Sequence, residues 1–158
     1  MRDRRFIAVH RGGPLIREDH AALARWAADC AEAILPWFER ESDDPRPLQA
    51  VEIARWWADG RVKTGVAMKA ALAAHAAART IKHPVAVAVT RSAGHAVATA
   101  HAADHSLGAL LYALKAHQHA GLNVNDFFET RMTRLPSHLY GMVADGMIWR
   151  TKSMKIAV

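Results

Sequence analysis

The sequence predicts an all-α fold, and the two observations behind this prediction are its alanine content and the helical spacing of its apolar residues. The chain has 158 residues, about the length of one domain. It contains 33 alanines, and 20 of them lie between Ala67 and Ala120. Alanine is the best helix former because it loses no side-chain entropy, and its small size lets helices approach closely. We therefore expect a single domain, a bundle or array of five to seven helices.

The N-terminal part of the chain is expected to be a basic tail, residues 1–17, followed by the first helix. The breaker Gly12-Gly13-Pro14 leaves room for at most one short extended segment in the tail. Asp19 is the expected N-cap of the first helix, and Pro36 must end or kink it because proline removes a backbone donor. The apolar stripe of this helix is Leu23, Trp26, Ala27, Cys30 and Ile34.

Two further helices are expected before the alanine-rich segment. The second follows a cap at Asp44 and ends at Gly60, a residue type that favours helix C-termini. The third begins with Thr64 as its N-cap and ends before His83-Pro84. The expected buried residues of these two helices are Leu48, Val51, Ala54 and Trp57, and then Met68, Ala71, Leu72, His75 and Ala78.

The helical pattern from Pro84 to Gly121 is too long for one helix in a domain of this size. An unbroken helix would span more than about 50 Å, so we expect a break near residues 104–106, where Asp104 and Ser106 can both cap. The run VAVAV after Pro84 imitates a strand, but its place before a long helical pattern favours a helix. Two more helices are expected, capped by Asn125 and by Ser137. They complete an all-α domain over residues 18–150, followed by a basic tail, 151–158.

Several segments in a fixed order resemble one family of proteins. They are WAADCAEAILP, DDPRP, AAHAAAR, AGHAVATAHAADHSLGALLYALKA and RLPSHL, within roughly residues 19 to 150. They are similar to the small all-α immunity proteins predicted for bacterial polymorphic-toxin systems. The resemblance implies a protein that binds and neutralises a toxin made by the same or a neighbouring cell, and that is not an enzyme.

The histidines allow three interpretations. His101 and His105 are four residues apart, and with His75 from the third helix they could form a three-histidine metal site. The rival function is therefore a metal-dependent helical-bundle hydrolase or transferase. The expected helix break between the two ligands opposes this site, and His95 lies about 240° around the helix from His101. We favour histidines packed in the core with no metal or other cofactor bound, and a direct binding surface is the third interpretation.

The sequence offers few other candidates for catalytic or binding residues. Cys30 is alone and is expected to be half-buried on a helix, and no nucleophile motif or phosphate-binding loop is present. In the pair Trp56-Trp57, adjacent side chains point about 100° apart, so Trp56 is a candidate interface anchor if Trp57 is in the core. The candidate binding residues are Trp56, His75, Arg79, His95, His101 and His105.

The charge and hydropathy of the chain limit its partners. The net charge is +6, but the basic residues are scattered apart from the two ends, which disfavours nucleic acid and suits an acidic protein partner. No segment approaches the ~20 apolar residues of a membrane span, and no signal peptide is recognisable. The expected partner is a toxin, and the expected location is the cytoplasm.

Overall fold

The chain has the predicted all-α fold. The computed structural model describes residues 2–158, and within them the one β-type pairing is an isolated bridge between Ala8 and Leu15. Two short 3-10 helices, Arg4–Phe6 and Val9–Arg11, precede the first α-helix. The α-helices are α1 (Arg17–Glu32), α2 (Leu35–Glu39), α3 (Arg46–Ala58), α4 (Thr64–Arg79), α5 (Pro84–Ala98), α6 (His105–His119), α7 (Val124–Met132) and α8 (Ser137–Ser153).

The described residues contain eight α-helices, one more than the expected maximum of seven. The additional helix is α2, which begins just after α1 has ended at Glu32. Pro36 lies in its first turn, where a helix needs no backbone donor, so the proline starts a helix as well as separating it from the previous one.

The centre of the fold is α5, which packs against α1, α2, α3, α4 and α6. Its alanines Ala86, Ala93 and Ala96 are fully buried. The VAVAV run lies at its start, so the prediction of a helix there is confirmed. Because the buried side chains of α5 are so small, its neighbours can pack close to its backbone.

Three large apolar residues that we expect to be buried are exposed. On α4, the exposed fraction of Leu72 is 70%, and Met68 is also exposed. The buried face of α4 consists of alanines, among them Ala67, Ala71 and Ala74. Only small side chains fit between α4 and its neighbours, so the leucine and the methionine lie outside that contact. Leu48 on α3 is exposed as well, whereas Val51, Ala54 and Trp57 are buried as predicted.

Several predicted caps are displaced. α1 begins two residues before Asp19, with Ile16 at its N-cap. The predicted cap Thr64 is instead the first residue of α4, and its hydroxyl accepts a hydrogen bond from the indole Nε1–H of Trp57 at 3.0 Å. Asn123, and not Asn125, caps α7 by accepting a hydrogen bond from the amide of Asp126.

The remaining helix ends follow the sequence more closely. Gly60 has a φ of +76°, a left-handed conformation that suits the predicted end of α3. Ser137 is the first residue of α8, after Pro136. Asp104 precedes α6 as expected, but its carboxylate accepts a hydrogen bond from the Arg2 guanidinium instead of capping the helix.

Both ends of the chain, which we expect as basic tails, contribute side chains to the core. Phe6 and Leu15 from the N-terminal segment are buried in the same cluster as Ile156. The guanidinium of Arg5 donates to the carboxylate of Asp145 at 2.9 Å and so connects the N-terminal segment to α8. α8 itself continues past residue 150 to Ser153.

Two glycines bring histidine rings against helix backbones. A Cβ placed on Gly94 of α5 would lie 2.7 Å from the imidazole of His75, and one placed on Gly108 of α6 would lie 2.4 Å from Nδ1 of His95. Neither glycine is needed for its φ. Each leaves space that an imidazole occupies.

Replacing Gly108 with alanine should destabilise the protein although alanine is the better helix former. The added methyl group would overlap the His95 ring, and overpacking of this kind costs about 1–3 kcal/mol. Urea unfolding followed by far-ultraviolet circular dichroism measures the change in the free energy of unfolding.

Gly141→Ala in α8 is the matched control, because a Cβ there meets nothing within 4 Å. This variant should gain up to about 1 kcal/mol from helix propensity. Equal gains in both variants would contradict the described contact between His95 and α6.

Candidate functional site

The expected break in the long helical segment separates two of the candidate histidines. α5 ends at Ala98 and α6 begins at His105, so His101 lies in the turn between them. Their four-residue spacing therefore does not place the two side chains on one face of a helix. The two imidazoles are nevertheless adjacent, with ring centroids 4.9 Å apart.

Four histidines form a continuous row, in the order His75, His95, His105 and His101, and we call this the histidine row. Ring centroids are 5.3 Å apart between His75 and His95 and 5.3 Å apart between His95 and His105. The expectation that His95 points elsewhere was wrong, because it assumed one continuous helix. Since α6 folds back on α5, His95 meets His105 from the opposite helix.

Hydrogen bonds fix the orientation of most of the row. The guanidinium of Arg91 donates to Nδ1 of His75 at 3.2 Å, so the proton of His75 is on Nε2. Nδ1 of His95 and Nδ1 of His105 are 3.2 Å apart and share one hydrogen bond. Nδ1 of His101 is buried and has no hydrogen-bond partner among residues 2–158.

The environment of the row keeps its imidazoles neutral. Burial is the main cause that lowers the pKa of all four histidines, and neighbouring positive charges lower it further. The largest effect is on His95, whose pKa falls to about 3 because burial is combined with repulsion from His105 and His75. At neutral pH the row can donate and accept hydrogen bonds but carries no charge.

The row does not have the geometry of a three-histidine metal site. Successive rings meet edge to face or tilted, and among residues 2–158 no group of three histidine, cysteine, aspartate or glutamate side chains is placed to hold a metal ion. His75 and His101, two members of the alternative metal site, stand at opposite ends of the row. His95, which that alternative omitted, is in its interior.

The other candidate binding residues lie apart from the row. Trp56 is on α3, with 39% of its surface exposed and the Arg61 guanidinium carbon 5.5 Å from its ring centroid. Arg79 is exposed at the last residue of α4. Cys30 is fully buried, not half-buried, and burial raises the pKa of its thiol well above its usual range.

Arg55 of α3 forms ion pairs with two carboxylates of α1. Its guanidinium donates to Asp29 at 2.7 Å and to Glu32. These ion pairs connect neighbouring helices and are partly exposed to solvent.

Sequence reasoning missed two exposed apolar residues on α8. The exposed fraction is 70% for Trp149 and 69% for Ile148. Leu139, Met142 and Val143 of the same helix are buried. The helical period places Ile148 opposite these residues, but it places Trp149 seven residues after Met142, on the buried side. Spacing alone therefore does not indicate that Trp149 is exposed.

A cavity of about 310 Å³ connects the histidine row with this part of α8. Its wall includes His95, His105, Tyr112, Trp149 and Arg150. Tyr112 stacks on His95 with ring centroids 5.2 Å apart. Neutral imidazoles, a tyrosine and an exposed indole therefore line one opening, where side chains from another molecule could insert.

Among residues 2–158, no helix combines the length and the apolar character that crossing a bilayer requires.

Lowering the pH from 7.5 to 5.5 should reduce the free energy of unfolding. The unfolded-state pKa of histidine is about 6.5 and that of His95 in the folded protein is about 3, so between these values the unfolded chain binds more protons. Each such histidine contributes a slope of up to about 1.4 kcal/mol per pH unit. Urea unfolding at pH 7.5, 6.5 and 5.5 measures this slope.

His95→Phe should reduce that slope by the contribution of one histidine. His119→Gln, at the exposed end of α6, should leave the slope unchanged. Identical slopes in the two variants would show that the buried row does not control the pH dependence.

Comparisons with known proteins indicate the family of this domain. A search of curated proteins and a search of solved structures each returned no match. The model of the family described as "Imm-5 like putative immunity protein" matches residues 13–138, which include α1 to α7 and all four members of the histidine row. The match covers well over half of the chain, and the chain therefore belongs to the Imm-5 like family.

Proposed function

We propose that this protein neutralises a bacterial toxin by binding it directly, without catalysing a reaction. The observation that carries the proposal is the family match over residues 13–138. We expect this protein to occupy the active site or the substrate surface of the toxin. One copy of the protein then protects against one copy of the toxin.

The chemistry of the buried groups supports a binding role. The thiol of Cys30 is inaccessible, and its raised pKa keeps it protonated. In the histidine row, His75 accepts from Arg91, and His95 and His105 share a hydrogen bond. These nitrogens serve packing and orientation, which fits a rigid scaffold for a binding surface.

The surface that we propose for toxin binding is the end of α8 together with the cavity beside it. Trp149 and Ile148 are each about two-thirds exposed, and Trp149 also lines the cavity whose wall includes His95 and His105. Tryptophan is among the residues most enriched at binding hot spots, particularly next to a pocket that a partner can fill. Two candidate binding residues from the sequence, His95 and His105, thus belong to this surface.

The partner that suits this surface is a toxin with an acidic face. The net charge of the chain is +6, and Arg150 lines the same cavity as Trp149. The one carboxylate in the cavity wall, Asp104, is neutralised by its ion pair with Arg2. Complementary charge accelerates association and disfavours wrong partners, whereas the exposed indole supplies affinity. We keep Trp56 on α3 as the alternative anchor, because it is less exposed than Trp149 but also reaches the surface.

Co-expression with the toxin encoded beside this gene should restore growth, and Trp149→Ala should weaken the complex by about thirtyfold or more. This expectation corresponds to a hot-spot loss of about 2 kcal/mol. Titration calorimetry of the purified pair measures the dissociation constant and the stoichiometry.

Trp56→Ala is the control at the other exposed tryptophan. A loss confined to Trp149→Ala supports the α8 surface, and a loss confined to Trp56→Ala assigns the interface to α3. Protection by amounts of this protein far below those of the toxin would contradict neutralisation by binding.

A further inference from the structure

A second and larger cavity, of about 650 Å³, lies where four parts of the chain meet. The N-terminal segment, the start of α1, the α3–α4 turn and the turn after α5 all contribute to it. Its charged lining residues are Arg11, Arg17 and Lys63, and we call this cavity the basic pocket. It is distinct from the cavity beside Trp149.

The positive charge of the basic pocket is not neutralised within the protein. Among residues 2–158, no aspartate or glutamate lines it, and none of its three cations forms an ion pair. By contrast, Arg25, which lies outside the pocket, forms an ion pair with Asp59. Three unpaired cations around one cavity create a local excess of positive potential.

Arg17 is held in place by contacts that leave most of its donors free. Its guanidinium carbon lies 4.0 Å from the ring centroid of Trp57, and one Nη donates to the Trp57 carbonyl at 2.9 Å. The indole of Trp57 is itself held by its hydrogen bond to Thr64. A guanidinium that is already oriented loses less entropy when it binds a planar or tetrahedral oxyanion.

Two helices begin at the basic pocket, α1 with Arg17 and α4 with Thr64. Neither has a side-chain hydrogen bond at its N-cap, so the positive ends of both helix dipoles add to the charge of the side chains. The acidic residues in the first turn of α1, Glu18 and Asp19, do not line the pocket. Asp19 is bound by His138 at 2.7 Å.

Two histidines beside the pocket are affected by this positive potential. Burial is the main cause that lowers the pKa of His20, and the charge of Arg17 lowers it further. Burial likewise lowers the pKa of His101, with a further contribution from Arg11. Both effects have the sign expected of a cavity that favours negative charge.

We propose that the basic pocket binds an oxyanion, either a carboxylate or a phosphate group, with Arg11, Arg17 and Lys63 as its charged ligands. This site is separate from the α8 surface. The oxyanion has two possible sources: an acidic side chain of a protein partner and a free phosphate-type anion. Both are recognised by the same charge-assisted hydrogen bonds.

Nuclear magnetic resonance of the 158-residue chain at pH 7.5 and constant low ionic strength tests the proposal. The probes are inorganic phosphate and a tetraglutamate peptide blocked at both ends, each titrated separately. We expect a saturable shift of the Trp57 indole N–H and of the Thr64 amide. Saturation by phosphate identifies a free anion as the ligand, and tighter saturation by the peptide identifies a carboxylate from a partner.

The double variant Arg11→Gln/Lys63→Gln should weaken binding of the effective probe by about tenfold or more, since each removed cation is a charged hydrogen-bond donor. Its matched control is Arg40→Gln/Lys82→Gln, which removes the same charges from exposed residues outside the pocket. The control should keep affinity within about twofold. Both variants avoid the Arg17–Trp57 contact, and unchanged thermal unfolding verifies that they fold.

Two results would overturn the proposal. One is the absence of a saturable shift at Trp57 and Thr64 with either probe. The other is an equal loss of affinity in the two double variants, because binding would then depend on net charge and not on the pocket.

Discussion

The close approach of α5 to its neighbours is the constraint on which the rest of the structure depends. Fully buried alanines, including Ala93 and Ala96, leave no room for larger side chains between the helices. Polar groups fit there only when they are bonded, as Ser92 is, its hydroxyl donating to the carbonyl of Ala109 at 2.7 Å. The imidazoles of His75 and His95 fit only because glycines face them. The small buried residues of α5 thus determine which larger groups can lie against it.

This constraint also affects which side chains reach the surface. Because alanines fill the contacts of α4, its large apolar residues Met68 and Leu72 remain outside. The uncharged histidine row extends from the α4–α5 contact to the cavity beside Trp149. A charged row would cost free energy in this interior, so its neutrality lets polar rings reach the surface without a buried ion.

Alanine content and helical spacing were sufficient to predict the all-α fold, because helix formation depends on local propensity. The break before His105 could be predicted because one unbroken helix there would be too long for a domain of this size. Neither alanine content nor helical spacing predicted which face of α4 is buried. A prediction from the spacing of apolar residues favours burial of Leu72 over Ala74, because leucine is more hydrophobic. In closely packed helices, however, only the smaller side chain fits in the contact. The proximity of His95 and His105 could not be read from spacing, since it depends on how α6 folds back on α5. The basic pocket could not be predicted for the same reason, since Lys63 is far from Arg11 and Arg17 in the chain.

The burial of residues from both ends of the chain affects how this domain can be divided. The family match covers residues 13–138, but the core also contains Phe6 before it, and Val143, Met147 and Ile156 after it. A fragment trimmed to the matched segment would lose these side chains and expose the apolar surface that they cover. The stretch of sequence that identifies the family is therefore shorter than the cooperative folding unit, and expression clones should retain both ends.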